Sequence, residues 1–180
     1  MIISSAPSPN FSSRKSKTVD MIVVHATAGH MPGTLSWMQD PKSKVSAHYL
    51  ITRRGKIYQM VLDEKKAWHA GRSKWDGQGN LNDVSIGIEL ENDNVGEKYP
   101  DAQYNALLEL SLMLVKKYGI ILERVLRHKD IAPKRKTDPA NFPWGKYKFD
   151  LTKLLAPEKP VKEVFFKKLF SFFKRIFQRR

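Results

Sequence analysis

VDMIVVH, residues 19–25, is the stretch on which the reading of the fold turns. It is β-branched and almost continuously apolar, the pattern of a strand covered on both faces rather than one with a wet side. A strand covered on both sides needs helices packed over its sheet. This one also ends on a histidine, which places an imidazole at the rim.

Working outward, HYLITRRGKIYQMV (48–61) alternates apolar and polar residues around Arg54-Gly55 and reads as a hairpin. SIGIEL (85–90) reads as a further strand, bounded by the turn-formers Asn80, Asn82 and Asn92. Val125, Leu126 and Arg127 form a short last strand that feeds His128. Residues 32–39 are expected to be a short helix carrying Leu35, Trp37 and Met38. The strongest helix is 101–118, where Ala102, Ala106, Leu107, Leu110, Met113 and Leu114 recur at helical spacing and Gly119 closes the end. Asp150 is expected to cap a last helical turn, LTKLL, which Pro157 stops. Together these predict an α/β fold, a central mixed sheet flanked by helices, without internal repeats.

With 180 residues the chain has length for one well-buried domain and an appendage. Its 32 Lys and Arg against 18 Asp and Glu give a net charge of +14, which favours polyanions without choosing among them. No nucleic-acid motif accompanies the charge, so nucleic acid is not expected as a partner. Cysteine is absent, so any bound metal must be held by nitrogen and oxygen. Neither the apolar core of a secretory leader nor a run long enough to span a bilayer is visible, and the chain is expected to be made in the cytoplasm. The expected organisation is an N-terminal arm (1–18), a catalytic domain (19–156), and a hinge with a C-terminal helix (157–180), acting as a monomer.

Two histidines and one aspartate stand at strand ends or beside them: His25, His128 in LRHKDIAP, and Asp138 in KRKTDPANFPW. Two imidazoles and a carboxylate suit a catalytic zinc ion, since three protein ligands leave a fourth position open. That set points to a metal-dependent hydrolase.

Five ordered blocks carry a resemblance: VVHATAG (23–29), VSAHYLITRRGKIYQMV (45–61), AWHAG (67–71), NDVSIGIELEN (82–92) and RHKDIAPKRKTDPANFPW (127–144). They resemble the zinc-dependent N-acetylmuramoyl-L-alanine amidases of the type-two kind, whose fold is shared with peptidoglycan recognition proteins. The resemblance implies that His25, His128 and Asp138 are zinc ligands, that Glu89 handles protons, and that Lys136 stabilises charge on the substrate oxygen. It also implies a peptidoglycan or muropeptide substrate. Amide hydrolysis calls independently for an activated nucleophile, a stabilised oxyanion and a proton for the leaving amine.

Glu91 lies on the same face of its strand as Glu89 and competes for the proton role. Were Ile86, Ile88 and Leu90 not to share one core, Glu89 would emerge at the strand's end. Trp68 and His69 are expected to touch substrate, an aromatic beside a polar tip suiting a sugar ring. Arg127 and Lys134, where relatives often carry glycine, are expected to tune which fragments fit.

Beyond Pro160 the sequence VKEVFFKKLFSFFKRIFQRR (161–180) has six phenylalanines and seven Lys or Arg against one Glu. On a helical wheel the apolar residues gather opposite the basic ones, the pattern of an interfacial helix on an anionic membrane or lipopolysaccharide. With that tail the sequence favours a phage-type endolysin, the alternative being a cytoplasmic amidase that trims anhydro-muropeptides during cell-wall recycling.

Overall fold

The computed structural model describes residues 1–15 and 18–157. In chain order its elements are β1 (Ile3–Ser5), β2 (Phe11–Ser13), β3 (Met21–Ala26), α1 (Gly33–Gln39), β4 (Tyr49–Ile51), β5 (Ile57–Gln59), β6 (Lys65–Ala67), β7 (Lys74–Trp75), β8 (Gln78–Gly79), β9 (Ser85–Leu90), α2 (Asp101–Tyr118), β10 (Val125–Arg127), α3 (His128–Ile131) and α4 (Trp144–Leu155). Six strands form the central sheet in the order β1-β5-β4-β9-β3-β10. Only β4 and β5 run antiparallel; every other neighbouring pair is parallel. Two small antiparallel ribbons, β2 with β6 and β7 with β8, lie outside it.

All six residues of β3 and all six of β9 are buried, which explains the lack of polar alternation in both segments. Their side chains divide between two cores. Ile22, Val24, Ile86, Ile88 and Leu90 meet Leu107, Leu110 and Leu114 of α2 and Tyr147 and Leu151 of α4. On the other face Met21 and Val23 pack with Ala70, Leu81, Leu126 and Ile131, while Leu50 packs with Met38 and Met60. Each such side chain contributes roughly 1.5–3 kcal/mol through removal from water. Ile86, Ile88 and Leu90 therefore do share one core. Glu89 is aimed by its register on the opposite face, beside Ser85 and Gly87, and not by the strand coming to an end.

The hairpin turns at Gly55, whose φ of +78° favours glycine and where a Cβ would stand 2.6 Å from the Ala102 carbonyl oxygen. Helix α2 has the bounds expected, and Gly119 closes it at φ 65°. Two expectations are refined and one set of strands is new. Part of the expected N-terminal arm belongs to the sheet: β1 is an edge strand, parallel to β5. Helix α4 begins at Trp144, directly after Pro143, so Asp150 lies inside it and is not its cap. The Asp150 carboxylate instead accepts from the Tyr104 hydroxyl at 2.8 Å and the Lys146 ammonium at 2.5 Å. Finally, β6, β7 and β8 are short and lack period-two patterning, so sequence gave no signal for them.

The C-terminal helix expected over 161–180 lies outside the described residues. Among the described residues no helix is long and apolar enough to cross a membrane.

Candidate active site

Parallel pairing of β3 with both β9 and β10 brings their carboxyl ends to one edge of the sheet. His25 and Glu89 are register partners there. Arg127 pairs with Val24, so His128, the next residue, rises beside His25 as the first residue of α3. Asp138 returns from the following loop, closed by a hydrogen bond from the Lys129 N–H to the Asp138 carbonyl (3.0 Å).

These three side chains converge. His25 Nδ1 lies 2.9 Å from His128 Nδ1 and 3.5 Å from Asp138 Oδ2, and His128 Nδ1 lies 3.1 Å from the same oxygen. Ligands held about 2.0–2.2 Å from a tetrahedral zinc ion stand roughly 3.3–3.6 Å apart, so the three atoms fit such an ion within a few tenths of an ångström. All three residues are buried, and together they could hold a metal ion.

The far nitrogens have partners of their own. His128 Nε2 donates to the Ala70 carbonyl at 3.2 Å, and His25 Nε2 lies 2.9 Å from His69 Nδ1. Such contacts orient an imidazole and leave its other nitrogen free as a ligand. Burial drives His25 down to about 4, which keeps it neutral. Burial alone would raise Asp138, but hydrogen bonds and charge from His128 and His25 hold its carboxyl well below the usual range.

Glu89 and Glu91 are both buried, yet their surroundings differ. The Glu91 carboxylate is occupied by backbone, accepting from Met31 N–H and Arg53 N–H, each at 2.9 Å. Glu89 Oε2 has no hydrogen-bond partner. Burial, helped by the charge of Asp138 and opposed by Lys136, pushes Glu89 up to about 8. Geometry thus separates the two carboxylates where the strand pattern left them equal: Glu91 holds loops together and Glu89 stands free.

A cleft of about 860 Å³ opens over this group, lined among others by Trp68, His69, Glu89, His128, Lys136 and Asp138. Trp68 is half-buried and lines the cleft, with its indole N–H on Ser12 Oγ at 3.2 Å. His69 lines the cleft, while its nitrogens are engaged within the protein: Nδ1 meets His25, and Nε2 meets Ser85 Oγ at 3.2 Å. Arg127 is not among the lining residues; its guanidinium grips Asp130 (2.8–3.2 Å) and lies over the Trp144 ring. Lys134 is exposed and is not among the cleft's lining residues.

Sequence reasoning missed Asn82. Its Oδ1 accepts the backbone N–H groups of His69 (3.2 Å) and Ala70 (2.8 Å), so one amide sets the segment that contacts both histidines. Arg14 was missed as well; from the N-terminal arm it donates to the carbonyls of Asp63, Asn82 and Ser85 at 2.8–2.9 Å. Neither residue carries a local pattern that could have revealed it.

A mixed sheet with a buried His-His-Asp cluster at its parallel strand ends, a free carboxyl beside it and a lysine lining the same cleft has the layout of a metallo-amidase site. The family described as N-acetylmuramoyl-L-alanine amidase matches residues 15–141, and the chain belongs to that family. It is 40% identical over 142 residues to the N-acetylmuramoyl-L-alanine amidase AmiD of Escherichia coli K12, covering 70% of this chain and 51% of AmiD. The chain thus spans about half the length of that relative. It is 38% identical over 168 residues to the 1,6-anhydro-N-acetylmuramyl-L-alanine amidase AmpD of the same strain, covering 82% of this chain and 91% of AmpD. Among solved structures, AmiD from E. coli in complex with anhydro-N-acetylmuramic acid-L-Ala-D-γ-Glu-L-Lys matches with a TM-score of 0.69 and 35% identity, over 81% of this chain and 59% of AmiD.

Proposed function

We propose that this chain hydrolyses the amide bond between N-acetylmuramic acid and L-alanine, with soluble anhydro-muropeptides as its preferred substrates and zinc as its metal. The observation that carries the chemistry is Glu89, a buried carboxyl with an unpartnered oxygen beside a cluster of three metal-ligand atoms. The preference for soluble fragments is supported by the near full-length match to AmpD, and it replaces the endolysin reading favoured by the tail.

His25, His128 and Asp138 would hold the ion. Zinc so bound supplies Lewis acidity and a nucleophile usable at neutral pH. Glu89 accepts the proton of the attacking water and returns it to the departing amine nitrogen, a role that suits a carboxyl lifted towards neutrality. Lys136, a half-buried cation lining the cleft, stabilises charge growing on the carbonyl oxygen. Trp68 offers a flat apolar surface to the sugar.

Mass spectrometry of products tests the reaction. A purified anhydro-muropeptide should yield the free peptide beginning at L-alanine and the free anhydro-sugar, faster than intact sacculi release peptide. Faster release from sacculi would return the endolysin reading to first place. Glu89→Gln should keep its metal and lose about 100-fold or more in turnover. His25→Ala, His128→Ala and Asp138→Ala should each lose zinc, measured by metal analysis after dialysis.

A further inference from the structure

Behind His25 runs a hydrogen-bonded line whose direction is fixed at its far end. The Ser85 hydroxyl lies 2.6 Å from the Leu81 carbonyl oxygen, which can only accept, so the hydroxyl proton points there. Ser85 Oγ is then left as an acceptor for His69 Nε2–H at 3.2 Å. With its proton on Nε2, neutral His69 has a lone pair on Nδ1, and that lone pair accepts from His25 Nε2–H at 2.9 Å. His25 Nδ1 consequently faces His128 and Asp138 as a bare donor atom.

The backbone makes room for this line. A Cβ at residue 87 would sit 2.4 Å from Cγ of His69, so the ring can lie against β9 only because that residue is Gly87. Ser85, Gly87 and Glu89 share one face of a single strand: the first anchors the relay, the second admits it, and the third stands beside the ligands.

We propose that Ser85 and His69 are positioning residues, a relay that selects the Nε2–H tautomer of His25 and thereby sets the affinity of the metal site. The proposal rests on the metal reading of His25, His128 and Asp138. It gives His69 a role other than substrate contact, and Ser85 a role where sequence suggested none.

The test uses the full-length, zinc-loaded protein with 15N-labelled histidine. Long-range proton–nitrogen spectra should report Nε2–H for both His25 and His69. Zinc affinity, measured by competition with a chromophoric chelator, should fall about tenfold in Ser85→Ala and recover in Ser85→Thr, which restores the hydroxyl. An affinity within twofold of the wild type in Ser85→Ala overturns the relay, as does an Nδ1–H signal from wild-type His69. Should Ser85→Ala fail to fold, the wild-type spectrum decides the question alone. Wild-type protein that binds no zinc would instead overturn the metal reading itself, so the two failures can be told apart.

Discussion

Glu89 shows how a single side chain can be both functional and costly to the fold. Its folded carboxyl is raised to about 8 from an ordinary 4.5, so in the metal-free protein the folded state binds more protons than the unfolded state between those values. Stability from this group is present below about pH 4.5 and is lost as pH rises towards 8. Metal-free Glu89→Gln should therefore lose less melting temperature than metal-free wild type between pH 5 and 8, as followed by circular dichroism. Parallel curves would mean that Glu89 is not buried as described. Gly87 supplies a second prediction. Gly87→Ala should destabilise the protein by about 1–3 kcal/mol through overpacking against His69, and should weaken zinc binding as the ring moves. His25, His128, Asp138, Glu89 and Lys136 could be named from sequence because each is a chemistry-bearing side chain at a strand end or in the loop just beyond one, within a block that carries the resemblance. Asn82, Ser85 and Arg14 were not, since each acts through contacts that no local pattern records.

At the level of elements, the strands were readable wherever burial wrote a long apolar run, as in β3 and β9, or an alternation, as across β4 and β5. Short ribbons such as β7 and β8 leave too few residues for any period to show. The junction of β4, β5 and α2 was also invisible, because it depends on one distant carboxylate. Asp63 accepts from the Tyr49 hydroxyl (2.7 Å), the Tyr118 hydroxyl (2.8 Å) and the Lys117 ammonium (2.9 Å). Burial would raise Asp63, but these bonds outweigh it and leave the group below its ordinary value. Its stabilising effect is present above the usual carboxylate range and declines as pH falls through the folded value. Asp63→Asn should cost about 1–3 kcal/mol at neutral pH by denaturant titration, and the difference from wild type should shrink in acid. Turnover of folded protein should be unchanged, since Asp63 does not line the cleft.

For the whole molecule, the net charge of +14 is spread unevenly, and residues 161–180 hold seven cationic side chains against one acid. We propose that this segment meets anionic lipid. Truncation after Pro160 should leave hydrolysis of soluble anhydro-muropeptide unaffected while abolishing sedimentation with vesicles containing anionic phospholipid at low salt. Equal sedimentation of the two forms would assign the charge another purpose.

The span from His128 to Asp138, helix α3 and the loop after it, has a consequence beyond chemistry. Two of its boundary residues would grip the same ion, and between them lie Lys129, Lys134, Arg135 and Lys136, each a place where trypsin can cut. Zinc would act as a clasp across that span, so loading should slow nicking there and chelation should hasten it. A digestion ladder would then report occupancy of the centre without any sugar or peptide being turned over.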